Sequence, residues 1–339
     1  MRPAAWPRAE PSSARMLALD PREGSLRDHT VEGLPSRLRA GDLVVLNDAA
    51  TLPASLHGVT ARDEPVELRL AGQEPGGAWR AVLFGEGDWR TPTEHRAPPP
   101  ALSAGETVLL GGGLTASVAR VSSLSPRLVT VRFPLAGAGL WRALYRAGRP
   151  VQYAYVSAPL PLWEVQTVFA SRPWAVEMPS AGRPLTWSVL EALRARGVEL
   201  ATVTHAAGLS STGDDALDAA LPLPERYQVP EATASAWART RRQGGRVLAV
   251  GTTVVRALES AMGAHGELRA GEGVATLRLR PGDRVTAADG LLSGVHEPGS
   301  SHYDLLEAFA GTALLREATA HAEREGYLLH EFGDTMLVW

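Results

Sequence analysis

The chain of 339 residues contains no cysteine, and its 34 basic residues include no lysine. The first absence excludes disulfides, thiolate nucleophiles and cysteine-ligated metals. The second excludes Schiff-base chemistry and the phosphate-binding lysine of a P-loop. A GC-rich coding bias accounts for arginine in place of lysine, and the many Ala, Gly and Pro residues fit it. No window approaches the roughly 18 to 20 apolar residues of a membrane span. The opening MRPAAWPRAEPSSAR has no continuous apolar core after its basic residue, so no signal peptide and no membrane partner are expected, and a cytoplasmic enzyme is the expectation. A net charge of -3 leaves no global basic footprint for nucleic acid. The local candidate, RTRRQGGR from Arg239 to Arg246, reads better as the solvated face and end of a helix.

With 45% hydrophobic residues, the chain can build a sizeable core and is long enough for two domains. Up to about residue 58 it centres on LRAGDLVVLNDAATLPASLHG, where Leu43 to Leu46 reads as a buried strand with Asn47 and Asp48 at its C-terminal end. From 59 to 150, short alternating runs such as VELRL, WRAVLF and RLVTVRF are separated by Gly- and Pro-rich turns, the pattern of a small all-β, barrel-like unit. The glycines 111–113 lack a following helix and read as a hairpin turn.

After Pro150 strands and helices alternate. LTWSVLEALRARG is a helix that Thr186 can cap and Gly197 can stop, and VELATVTH is the strand after it. Further on come a helix after Pro230, the strand RVLAV, the helix TTVVRALESAM, and the strands YLLHEF and TMLVW. Such alternation implies βα units. The expected fold is therefore α/β: a barrel-like or mainly parallel-sheet catalytic domain from residues 1–58 and 151–339, interrupted by an inserted β domain at 59–150.

In α/β sheets, ligands bind beyond the C-terminal ends of the strands. Three polar clusters fall there: Asn47-Asp48, Gly251-Thr252-Thr253 and His296-Glu297. A glycine lets backbone approach a ligand, and a helix N-terminus favours a carboxylate or phosphate; plain capping explains the two threonines as well. Arg256 and Glu259 lie three apart on the same helix and can share a face or form a surface ion pair. His296, in a Gly/Pro/Ser loop, is a candidate general acid or base near neutral pH, and His205 is similarly placed at its strand's end. The histidines of GVHEPGSSH, six apart, do not have a standard zinc spacing, so no metal is expected.

GDLVVLND, RYQVPEATA, GGRVLAVGTTVVRALES, DGLLSGVHEPGSS, LLEAFAG and GYLLHEFGDTMLV occur in this order. Together they resemble the S-adenosylmethionine:tRNA ribosyltransferase-isomerase family of queuosine biosynthesis over nearly the whole chain. The resemblance implies transfer and isomerisation of the ribosyl part of S-adenosylmethionine, as co-substrate, onto an aminomethyl-deazaguanine in tRNA. By the same resemblance Asn47, Asp48, His205 and Gly251-Thr252-Thr253 bind substrate, while Arg256, Glu259, Glu225 and His296 serve the chemistry. A monomer is expected.

The chain departs from the family at several positions. Ala50 and Ser55 replace arginines of NDTRVIPARL, and Pro184 replaces a histidine of PTAGLHFT. HAAGLSS stands for HVGxGTF and keeps His205; ALPLPE keeps only Glu225 of its histidine-rich counterpart; VHEP replaces FHLP. Lost basic groups weaken the expectation of a tRNA partner. They leave open a paralogue that uses S-adenosylmethionine on a small molecule, or a protein that binds without catalysis.

Overall fold

The computed structural model describes residues 1–339. Its central feature is an open sheet of nine strands, in the spatial order 271–275, 225–229, 199–205, 43–47, 247–250, 290–294, 335–338, 15–20 and 25–30. Strands near both chain ends lie side by side in it, because Thr335–Val338 pairs in parallel with Met16–Leu19. Both faces of the sheet are covered. Leu43, Val45, Val247 and Ala249 join one core with the helix Thr252–Ser260, while Val44, Leu46, Leu248 and Val250 join another with Trp187–Ala195. Alternate side chains of a strand point to opposite faces, so burial on both faces requires the unbroken apolar run that Leu43–Leu46 shows.

The sheet is mixed rather than mainly parallel. Four neighbouring pairs are parallel and four antiparallel. The parallel run 199–205, 43–47, 247–250, 290–294 forms its centre, as strand–helix alternation requires. At one edge Arg15–Asp20 and Ser25–Thr30 form a hairpin, and at the other 225–229 returns antiparallel to both neighbours. In the hairpin the four-residue turn between Asp20 and Ser25 imposes that direction.

Six strands close into a separate barrel in the order 115–121, 128–132, 79–84, 65–73, 55–60 and 107–110. Its first strand opens at Ser55, inside the stretch that sequence texture assigned to the catalytic unit. Gly58 lies within this strand because the Leu109 carbonyl would stand 2.2 Å from any Cβ there. Gly111–Gly113 turns between two paired antiparallel strands, as a hairpin should. The helix Gly137–Ala147 packs on the barrel through Leu140 and Leu144, with Trp141 edge-on to Trp79. On the strand face opposite Val66 and Leu68, buried Glu67 accepts from Ser55 Oγ (2.7 Å), Arg69 Nε (2.7 Å) and Arg96 Nη1 (2.6 Å). Burial alone would raise its pKa, but the two guanidinium groups hold it down at about 2.

The expected strand YLLHEF is reduced to Leu328–Leu329, paired with Arg2–Pro3. His330 follows at φ +68°, a left-handed conformation that ends the strand and leaves the imidazole among the cavity-lining residues described next.

Candidate active site

A cavity of about 900 Å³ opens beyond the C-terminal ends of Val247–Val250 and Gly290–Gly294. Several stretches converge on it, among them the turn Gly251–Thr253, the loop Ser293–His302, the returning segment between residues 151 and 181, the segments 207–211, 277–279 and 329–331, and Pro92–Glu94 of the barrel. The insertion thus contributes directly to the cavity wall.

At the strand-to-helix turn, Gly251 adopts φ +91°, a value that favours glycine. No side chain caps this helix from Gly251. Thr253 Oγ1 accepts from Asn47 Nδ2 at 3.2 Å, so this hydroxyl is partly committed to the scaffold, while Thr252 and Thr253 both line the cavity. The positive end of the helix therefore faces a space large enough for an anion.

Arg256, one turn further on, is buried. It donates from Nε to Leu277 O and from Nη2 to Ala275 O, both at 3.1 Å, and pairs through Nη1 with Glu225 Oε2. Burial and the nearby Arg278 lower its pKa to about 10, which keeps it cationic at neutral pH. Glu225 Oε1 accepts from Gly208 N at 2.6 Å. Glu225 and Arg256 both line the cavity, brought together from a strand and a helix that are not neighbours in the chain.

Glu259, expected to join Arg256, does not. It accepts from the backbone N–H groups of Thr286 and Ala287, both at 2.6 Å, and from Thr286 Oγ1, and it is absent from the cavity wall. Three helical residues span about 300°, so the two side chains diverge by roughly 60°. That is enough to send one to the cavity and the other to the loop beyond the helix.

Asn47, Asp48 and His205 also stand behind the cavity rather than in its wall. Asn47 accepts from the N–H groups of Ala49 and His205 and donates to His205 O, locking two strand ends together. Asp48 accepts from Thr204 and Ser171. His205 is completely buried, and neither ring nitrogen has a hydrogen-bond partner. Burial, with the Arg256 charge, pushes its pKa down to about 3. Its 3.6 Å approach to Glu225 is therefore the contact of a neutral ring and not an ion pair.

His296 does line the cavity. Its Nε2 lies 2.9 Å from Ser293 Oγ, and its ring stacks on His302 with centroids 4.8 Å apart. Burial, His302 and His330 drive its pKa well below the ordinary imidazole value. At neutral pH it is an uncharged hydrogen-bonding group, not the near-neutral acid or base expected. No set of three or more His, Asp or Glu residues is arranged to hold a metal ion.

Sequence reasoning did not single out the opposite wall. There Tyr153 donates to Glu177 Oε1, which also accepts from Ser210 N at 2.9 Å, and Tyr155 donates to Glu331 Oε2. Tyr155 stacks on His330 at 4.2 Å and lies beside Tyr153 at 6.0 Å. Burial raises the pKa of Glu177 to about 7, against the hydrogen bonds from Tyr153 and Ser210. Glu177 follows the strand Arg172–Ala175, the same end-of-strand signal that drew attention to Asn47.

The substituted basic positions turn out to be internal. Ser55 is buried and bonded to Glu67, Pro184 is buried, and Ala50 is half-buried in register with Pro173. In the RTRRQGGR stretch, Arg239 pairs with Glu199, Arg241 with Asp289 and Arg246 with Asp42. Most of its charge is thus used within the fold.

The family described as Queuosine biosynthesis protein matches residues 2–338. The chain is 34% identical over 339 aligned residues to the S-adenosylmethionine:tRNA ribosyltransferase-isomerase of Parvibaculum lavamentivorans, covering 96% of this chain and 92% of the relative. It is 36% identical to the protein of the same name from Acidithiobacillus ferrooxidans, with 98% and 93% covered. The crystal structure of the S-adenosylmethionine tRNA ribosyltransferase of Thermotoga maritima superposes with a TM-score of 0.54 at 22% identity, covering 99% of this chain and 96% of that one. At that identity the likeness concerns the fold.

Proposed function

This chain belongs to the queuosine biosynthesis protein family, and from that premise we propose that it is an S-adenosylmethionine-dependent ribosyltransferase-isomerase acting on tRNA. It transfers and isomerises the ribosyl moiety of S-adenosylmethionine onto 7-aminomethyl-7-deazaguanine in tRNA, giving epoxyqueuosine and releasing adenine and methionine. The observation that carries this reading is the family match along residues 2–338, which spans both the α/β unit and the inserted barrel.

The cavity suits the task. Its volume of about 900 Å³ lies near the top of the roughly 300–1,000 Å³ range of small-molecule sites, leaving room for a nucleobase beside S-adenosylmethionine. A base in a nucleic acid must leave its stack to enter such a pocket. In this reading the turn Gly251–Thr253 receives the carboxylate of the methionine part, and the Arg256–Glu225 pair fixes the charge beside it. His296 offers a neutral imidazole, while Asn47, Asp48 and His205 hold the strand ends that shape the site. The wall of Tyr153, Tyr155, Glu177 and Glu331 suits the positively charged sulfur, because carboxylates and aromatic faces both attract cations.

The departures that favoured a small-molecule acceptor lose much of their force, because positions 55 and 184 lie inside the fold and not on a surface that meets a polynucleotide. No helix is long and apolar enough to cross a membrane. A cytoplasmic monomer is the setting this reading carries with it. The test is adenine and methionine release from S-adenosylmethionine, with tRNA carrying the aminomethyl-deazaguanine base and with unmodified tRNA. Release only with the modified tRNA is expected; release indifferent to tRNA would overturn the acceptor.

A further inference from the structure

The reaction under Proposed function begins at a carbon bonded to a positively charged sulfur, where a proton is acidic enough for a positioned carboxylate to remove. The cavity wall carries eight carboxylate and imidazole groups that could act as a base, and their surroundings separate them; Glu94 and His330 are exposed. Glu225 has one oxygen on Gly208 N and the other on Arg256, so it is fully engaged. Glu297 is exposed and cannot offer a dry environment. His296 and His302 are both held below the ordinary imidazole value and are weak bases. Glu331 is anchored by Tyr155 alone.

Glu177 differs from all of these. A single oxygen, Oε1, accepts both anchoring hydrogen bonds, from Tyr153 OH and Ser210 N, and Ser210 Oγ donates in turn to Tyr153 OH at 3.1 Å. Two donors on one oxygen fix the plane of the carboxyl group and leave Oε2 without a protein partner. Met178 and Leu209 beside it are apolar and line the same cavity. A carboxylate with one oxygen clamped and the other free is the arrangement that general-base catalysis requires.

We infer, building on the proposed function, that Glu177 is the base that removes the C5′ proton of S-adenosylmethionine, with Tyr153 and Ser210 as the residues that position it. In this step the C5′–H bond breaks and an O–H bond forms on Glu177 Oε2. The electron pair stays on C5′, stabilised by the adjacent sulfur cation, and nothing is oxidised or reduced.

The pH behaviour follows from the groups around Glu177. Burial raises its pKa to about 7, and the nearby Glu331 carboxylate adds to that, while the Tyr153 and Ser210 hydrogen bonds oppose it. Tyr155 and His330 stack behind this wall, and Arg69 lies 5.7 Å from the Tyr153 ring. A base must be ionised to act, so turnover should fall below about pH 7. Tyr153→Phe removes a hydrogen bond to the ionised form and should move that limb to higher pH. Glu331→Gln removes a like charge and should move it to lower pH.

The experiment measures adenine release with modified tRNA across pH for the wild type, Glu177→Gln, Tyr153→Phe and Glu331→Gln. In parallel, deuterium uptake at C5′ of S-adenosylmethionine is followed in D2O. Glu177→Gln should lower kcat by roughly 10²–10⁴-fold and abolish deuterium uptake while S-adenosylmethionine still protects the protein against heat. The two flanking variants should shift the acidic limb in opposite directions. An active Glu177→Gln variant, or limbs unmoved by both flanking changes, would overturn the assignment. An inactive wild type would instead overturn the functional reading on which it rests.

Discussion

The buried pair between Glu225 and Arg256 gives the sharpest stability prediction. Glu225 is 6% exposed and Arg256 5%, so neither charge is shielded by water. Arg256 is also tied to the carbonyls of Leu277 and Ala275, and these bonds would hold the guanidinium in place if its partner were neutralised. Glu225→Gln keeps the shape and an acceptor for Gly208 N but leaves a buried cation uncompensated. Removing one partner of such a pair costs about 3–5 kcal/mol, a large share of a typical total of roughly 5–15 kcal/mol. Urea unfolding at pH 7 measures the loss. Arg256→Gln and the double variant complete a cycle whose non-additivity isolates the pair. A loss below about 1 kcal/mol, the value of an exposed ion pair, would refute the reasoning.

Two further predictions test groups that the structure moves away from the cavity. The neutral ring of His205 titrates at about 3 in the fold and at 6.5 when free, so the unfolded chain binds more protons between those values. Its stabilising contribution is complete above pH 6.5 and drains away as pH falls towards 3. His205→Phe should flatten that part of the pH–stability curve; parallel curves for variant and wild type would contradict it. Glu259→Ala should cost about 1–3 kcal/mol in urea unfolding, because the amides of Thr286 and Ala287 lose their acceptor. Adenine release per folded molecule should stay unchanged, and a loss of turnover without a loss of stability would return Glu259 to the site.

Much of the fold was legible because its strands carry their burial in their composition. Leu43–Leu46 and Val247–Val250 are unbroken apolar runs and lie at the centre of the sheet. The turn at Gly251 was legible because a strand meets a helix there with no intervening loop. The direction of the edge strands was not, since period and composition are the same for parallel and antiparallel pairing. Within the site, His296 could be singled out from its local setting, and Arg256 from the family resemblance. Glu177 could not be singled out by periodicity, because its partners Tyr153 and Ser210 lie on irregular segments far along the chain in either direction. His205 and Glu259 carry the same residue chemistry as true cavity groups, and only the packing separates them.

The most direct test of the central claim is the mass of the modified nucleoside in tRNA after incubation with this protein and S-adenosylmethionine. A gain on the 7-aminomethyl-7-deazaguanine nucleoside equal to the transferred ribosyl-derived unit, with equal adenine released, is the predicted result. Unchanged nucleoside mass from folded protein that binds S-adenosylmethionine would contradict it.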